Sequence, residues 1–152
     1  MSDPWTSVPA FGTRDPSRNY TVREGAYAII TNEHARIAIV RTATGLWLPG
    51  GGLEPKESHE AALRRELLEE YGTTARCTPT LLRAIEFVDG GTEGCFEKRC
   101  VFFAGVFVGI PVSGVAWLSA KDAAHHLRHE SQRWAVARLC SRDSGNGGAP
   151  SA

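Results

Sequence analysis

The hydrophobic positions of this chain follow two rhythms. Short β-branched and aromatic stretches dominate, and helical spacing is confined to three segments. Thr21 to Thr31 and Ala35 to Thr42 read as strands joined by a turn at Asn32-Glu33-His34, and Thr44-Gly45 marks another turn before Leu46-Trp47-Leu48. Thr80 to Val88 and Phe96 to Val108 predict a long hairpin through the loop Asp89 to Gly94, and Val115 to Leu118 a short strand. The first helix is expected from His59 to Tyr71. Ser58 can cap its start, Gly72 can end it, and Leu63, Leu67 and Tyr71 repeat at i, i+4 and i+8. Ser119 caps a second helix from Ala120 to about His129. A third runs from about Ser131 to Ser141, with Trp134, Val136 and Leu139 as buried anchors.

Strands in mixed order around one central helix, with helices closing the other side, predict an α+β chain folded as an α/β/α sandwich. Residues 1–19 are proline-rich and poor in apolar positions, so they read as an irregular arm. Residues 20–142 form one expected domain, and the glycine-rich stretch within 143–152 has the composition of a disordered tail.

Composition narrows the function classes. A formal net charge of zero leaves no electrostatic footprint for duplex nucleic acid or for an anionic membrane. The longest apolar run, Val101 to Val112, is broken by Gly105, Gly109 and Pro111 and is too short to span a bilayer. Cytoplasm is the expected location, and the oligomeric state stays open between monomer and homodimer. Cys77, Cys95, Cys100 and Cys140 show no metal or disulfide-framework spacing and are expected as free thiols.

The chemistry concentrates on the first helix. Glu66, Glu69 and Glu70 project from one face, because positions i, i+3 and i+4 point the same way. Like charges at that spacing disfavour a helix by ~0.2–0.5 kcal/mol per pair. Glu69 and Glu70 also occupy the last turn, where the helix dipole costs a further ~0.3–1 kcal/mol each. A hard divalent cation with oxygen ligands relieves that repulsion, so these carboxylates predict a Mg²⁺ or Mn²⁺ site. An exposed acidic face is the competing reading. Arg65 can hold a carboxylate in a bidentate fork, and Glu57 sits just before the helix, where an anion is favoured.

Gly51, Glu57, Arg65, Glu66, Leu67, Glu69, Glu70 and Gly72 together resemble the signature of the Nudix hydrolases, G-x5-E-x7-R-E-U-x-E-E-x-G-U with U a bulky aliphatic residue. Every gap matches, and only Thr73 departs, at a packing position. Trp47-Leu48-Pro49-Gly50 is similarly typical of that family. The resemblance implies a Nudix-type sandwich with a catalytic loop–helix. It implies one to three divalent ions on Glu66, Glu69 and Glu70, helped by the backbone carbonyl of Gly50. It further implies that Arg65 orients a catalytic glutamate, that Glu57 supports the site, and that water cleaves a nucleoside diphosphate linked to another group. The general base in such enzymes often comes from a distant loop. Glu93 and Glu97 are candidates here, with Asp89 behind them and Glu66 as the contender on the helix itself. A non-catalytic nucleotide-binding or sensor module of the same fold is the alternative.

The substrate is less legible. Val88 stands where the ADP-ribose group has a proline, and Gly90-Gly91 where the dinucleoside polyphosphate group has a tyrosine, so a nucleoside triphosphate or other small nucleotide is the residual reading. One of Trp47, Phe87, Phe96 and Phe102 could stack on a base, although aromatics in strands are usually core. His125 and His129 have metal-pair spacing on the expected second helix, but no third ligand accompanies them.

Overall fold

A computed structural model describes residues 2–112 and 114–144. Its elements run β1 (Ala10–Phe11), β2 (Tyr20–Ile30), β3 (Arg36–Thr42), β4 (Gly45–Trp47), β5 (Gly50–Gly52), α1 (His59–Tyr71), β6 (Ala75–Asp89), β7 (Cys95–Phe107), β8 (Ala116–Ser119), α2 (Ala120–His126) and α3 (Glu130–Ser144). The expected disordered tail begins too early at residue 143, because α3 continues through Ser144. Residues 145–152 lie outside the described residues.

The strands form a mixed five-stranded sheet, β1-β6-β7-β2-β5, and a three-stranded sheet, β4-β3-β8. Two strand pairs in the larger sheet are parallel, β1 with β6 and β2 with β7, and the others are antiparallel. Strand alternation divides the interior in two. Ala26, Ala28 and Ile30 of β2, with Val101 and Phe103 of β7, pack against Ala62, Leu63, Leu67 and Tyr71 of α1. Tyr27 and Ile29, with Cys100 and Phe102, pack against Ala123, Leu127, Ala135 and Val136 of α2, α3 and their junction. Each fully buried Val, Leu, Ile or Phe among them contributes on the order of 1.5–3 kcal/mol. The result is the expected α+β sandwich, with α1 on one face and α2 and α3 on the other.

Both predicted ends of α1 are present. Ser58 Oγ accepts the Ala61 N–H at 3.1 Å, and Gly72, at φ 70°, donates its N–H to the Leu68 carbonyl. The expected helix from Ala120 to His129 is shorter, because Leu127 turns extended, bridges to Leu46, and sinks into the core. That break separates His125 from His129, so no metal pair forms on one helical face. Strand β6 starts five residues before the expected Thr80, passing Pro79 at a register shift between Cys77 and Leu81. A bulge is where a strand tolerates a residue that cannot donate to the ladder.

The N-terminal arm is not wholly irregular. β1 pairs in parallel with Ile85 and Glu86 of β6, and Trp5 is buried in the α1-side core. Among the described residues no helix is long and apolar enough to cross a membrane. Replacing Trp5 by alanine should therefore cost about 3–5 kcal/mol. Urea unfolding tests this, and a loss under about 0.5 kcal/mol would mark the arm as dispensable surface.

Candidate active site

The site is built where α1 leans over the edge strand β5. Gly50–Gly52 form that strand, where a glycine turn was expected, and pair with Gly25, Ala26 and Tyr27 of β2. Two of these glycines are required by space. Gly50 has φ 135°, and any side chain on it would strike the Ala26 carbonyl. A Cβ on Gly51 would lie 2.5 Å from Glu66 Oε1, so the bare backbone makes room for that carboxylate. Gly52 is under no such constraint, with its nearest neighbour at 3.8 Å.

Arg65 is the hub. Its Nε and Nη2 donate to Glu57 Oε2 and Oε1 at 2.9 and 2.8 Å, a bidentate fork. Nη2 also reaches the Gly52 carbonyl at 3.0 Å, and Nη1 donates to Glu66 Oε1 at 3.0 Å. Glu69 and Glu54 lie further out, at 3.8 and 3.6 Å. One guanidinium therefore ties the loop before α1, the glycine strand and the helix together. Hydrogen bonding from Arg65, aided by the Glu54 backbone contact, holds the Glu57 carboxyl down at about 2. Glu57 Oε1 in turn accepts the Glu54 N–H at 2.9 Å and shapes the loop.

Glu70 behaves in the opposite way. Burial, then the neighbouring Glu66 charge, pushes its carboxyl up to about 7; Glu69 adds to this and the Gly50 N–H opposes it. Among the described residues no three Asp, Glu, His or Cys side chains converge closely enough to hold an ion as they stand. The physical reason is visible: Glu66 is turned toward Arg65, and Glu69 is largely exposed. The oxygen-only donor set, the room made by Gly51 and the crowding of acids around Glu70 nonetheless fit a hard divalent cation. A cleft of about 330 Å³ opens beside Glu70, lined by Ile39, Val40, Arg41, Tyr71 and Ala116.

The two distal base candidates stand elsewhere. Glu93 is exposed in a single 3-10 turn at the hairpin tip. Glu97 accepts from Arg99 Nε at 2.7 Å and pairs across the sheet with Val22. Val22 lies four residues along β2 from Ala26, the partner of Gly51, a span of ~13 Å. Asp89 is engaged by the Gly91 N–H and by Arg18, at 2.9 and 2.8 Å. Only Glu66 among the candidates joins the α1 carboxylates.

A second polar cluster escaped the sequence. Glu86 is buried, and its oxygens accept from Ser131 N at 2.7 Å and meet His129 Nδ1 at 2.6 Å. Burial pushes Glu86 up, but these hydrogen bonds outweigh it and hold the carboxyl at about 2. A charged residue in inward register with Leu82, Ala84 and Val88 was the available signal. Its partners are over forty residues distant, so they had none.

An α+β sandwich carrying this acidic loop–helix defines a class, and comparison with known proteins gives it a name. The NUDIX domain model matches residues 21–140, so the chain belongs to the Nudix family. A Bacillus subtilis (strain 168) protein provisionally named an 8-oxo-dGTP diphosphatase is 48% identical over 54 residues, covering 34% of this chain and 36% of that one. The nucleoside triphosphatase NudI of Enterobacter sp. (strain 638) is 38% identical over 66 residues, covering 38% and 47%. The chain thus matches between about a third and a half of the length of these relatives. The solution structure of the E. coli ORF135 protein superposes with a TM-score of 0.62 at 20% identity, over 85% of this chain and 96% of that one.

The raised Glu70 carboxyl has a consequence for stability. Between about 4.5 and about 7 the folded protein holds a proton that the unfolded chain has released, so stability falls as pH rises through that window. Glu57 and Glu86 act in the opposite sense, but only below about 4.5. In EDTA, the melting temperature of the wild type should drop from about pH 5 to about pH 7.5, and Glu70→Gln should remove most of that slope. Equal slopes in the two proteins would overturn the assignment.

Proposed function

We propose that this chain is a divalent-metal-dependent pyrophosphohydrolase that cleaves the diphosphate link of a small nucleotide, a nucleoside triphosphate being the best-supported substrate. The reading rests on the carboxylates of Glu66 and Glu70 lying near one another beside a side-chain-free strand to which Arg65 ties the helix. Glu66, Glu69 and Glu70, with the Gly50 carbonyl, would hold Mg²⁺ or Mn²⁺. Bound there, the ion supplies charge neutralisation on the phosphate oxygens and a lowered water pKa.

The chain's own residues supply the rest. Glu66 accepts the proton of the attacking water, since it alone of the base candidates stands with the other helix carboxylates. Water oxygen then bonds to phosphorus as the bridging P–O bond breaks, and the bond's electrons leave with the departing phosphate group. Arg65 keeps Glu66 aimed while its fork on Glu57 holds loop and helix in register. Arg41 places a cation in the cleft beside Glu70, suited to a polyphosphate. The names of the two relatives support a nucleoside triphosphate.

A sensor module of the same fold is the second reading. The complete acidic set favours the enzyme, because holding a nucleotide does not require a half-buried carboxylate near neutrality.

A panel of nucleotides with Mg²⁺ or Mn²⁺ decides between them by release of phosphate or pyrophosphate, and no release across the panel would leave the sensor reading. The double substitution Glu69→Gln, Glu70→Gln should lower turnover by at least about 100-fold with the fold retained by circular dichroism. Arg65→Lys, which keeps the charge but not the fork, should cost about 10–100-fold in kcat. A wild-type rate in the Arg65→Lys protein would show that the bidentate geometry is incidental.

A further inference from the structure

The sheet edge opposite the glycine strand borders a cavity that catalysis does not use. β6 lies three strands across from β5, ~14 Å along the sheet. β1 covers the β6 edge only at Ile85 and Glu86, where the Ile85 N–H donates to the Pro9 carbonyl at 2.9 Å. Continuing that parallel ladder would seat the Arg83 N–H on the Ser7 carbonyl. Among the described residues no such bond forms. Ser7 takes φ 67°, a left-handed conformation uncommon for a residue with a side chain, and the arm leaves the edge toward the buried Trp5. A cavity of about 390 Å³ opens there, between the arm, Leu81–Arg83 of β6 and α3.

Its walls are held in place. Trp5 anchors the arm in the α1-side core, and Trp134 of α3 packs on Phe11 of β1 with ring centroids 5.7 Å apart. Arg83 and Arg138 bring two guanidiniums to the lining, beside Trp134, Leu82, Val8 and Ser7. They arrive from opposite faces of the sheet. Arg83 shares the register of Leu81 and Ile85 on the α1 side, and Arg138 lies one turn beyond Trp134 on α3. Of the four half-buried arginines among the described residues, Arg65, Arg99 and Arg133 each donate to carboxylate or carbonyl oxygens. Arg83 alone has no acceptor, and Arg138 has none either. Unsatisfied donors on a half-buried guanidinium are costly, and an anion in the cavity would satisfy them. Two planar forks, the Ser7 hydroxyl and the open β6 edge outnumber what one carboxylate can accept. A phosphate ester, with two charges and three terminal oxygens, matches them better. Trp134, Leu82 and Val8 offer an apolar wall to whatever the phosphate carries.

We propose that this cavity is a second binding site, for a small phosphate monoester with an apolar group attached. Arg83 and Arg138 hold the phosphate, and Trp134 packs on the remainder. No acid lines the cavity, so the ligand is held there and not cleaved, and no divalent ion is needed. The site stands at the far edge of the sheet from the α1 carboxylates, and the proposal does not depend on the reading of the chain as a hydrolase.

Phenyl phosphate is titrated in EDTA into the full chain labelled with nitrogen-15, and the indole N–H signal of Trp134, assigned from Trp134→Phe, is followed by NMR. That signal should move and saturate. Arg83→Met and Arg138→Met should each weaken the response by at least about tenfold, roughly one hydrogen bond to a charged donor, while the backbone spectrum stays that of the folded protein. Arg138→Lys should keep part of the affinity, because the charge remains and the fork is lost. Inorganic phosphate should bind more weakly than phenyl phosphate for want of the apolar contact. Benzoate should also bind more weakly, and phenol should leave the signal in place. A Trp134 signal unmoved at about 10 mM phenyl phosphate, where even a ~1 mM complex is nearly saturated, would overturn the site. So would an equal response in the folded double variant Arg83→Met, Arg138→Met. Benzoate binding as tightly as phenyl phosphate would overturn the assignment to phosphate esters.

Discussion

A single guanidinium decides the shape of this site. Arg65 grips Glu57 with two hydrogen bonds, takes the Gly52 carbonyl with a third and Glu66 with a fourth. Together with the Gly50 N–H on Glu70, these bonds tie the loop before α1, the edge strand and the helix to one another. Carboxylates gathered this closely repel, and a lone ammonium could not satisfy so many acceptors in fixed directions. A planar fork can. The same guanidinium that holds Glu57 firmly ionised also holds Glu66 beside the glycine strand, so one side chain both anchors the loop and orients a helix carboxylate.

The glycine strand is the counterpart of that hub. With no side chains on Gly50 and Gly51, α1 can lay a carboxylate against backbone at a sheet edge. The acidic face then meets the opposite face of the sheet across a very thin wall. One side of the wall carries Glu66 and Glu70, and the other carries Tyr27, Lys98 and Trp47. Glu70 is unfavourably placed on that acidic side, half-buried near two other acids.

Local chemistry was readable from residues close together in the chain. The cap at Ser58, the stop at Gly72, the apolar stripe of α1 and the shared face of Glu66, Glu69 and Glu70 all depend on interactions within a turn or two. The capacity of Arg65 for a bidentate fork was likewise legible, but that its partner is Glu57, eight residues away, was not. The misreadings have a common cause. Leu127 leaves helical geometry because it pairs with Leu46, β1 forms because β6 offers it an edge, and β6 runs past Pro79 because β7 supports the bulge. Each is a case of long-range pairing overruling a local preference.

What the sequence determined by itself is the acidic cluster: which carboxylates, on which helix face, beside which arginine. Periodicity and short spacing carry that information because a helix converts sequence distance directly into direction. The tertiary structure alone placed Glu93 at the hairpin tip and Glu97 on Arg99, away from the α1 carboxylates. It alone set Glu86 on His129 and left Arg83 and Arg138 lining one cavity without a carboxylate. Those relations depend on strand register and on how α3 docks. Both are fixed by contacts between residues far apart in the chain, such as Leu48 and Gln132, which no local pattern records.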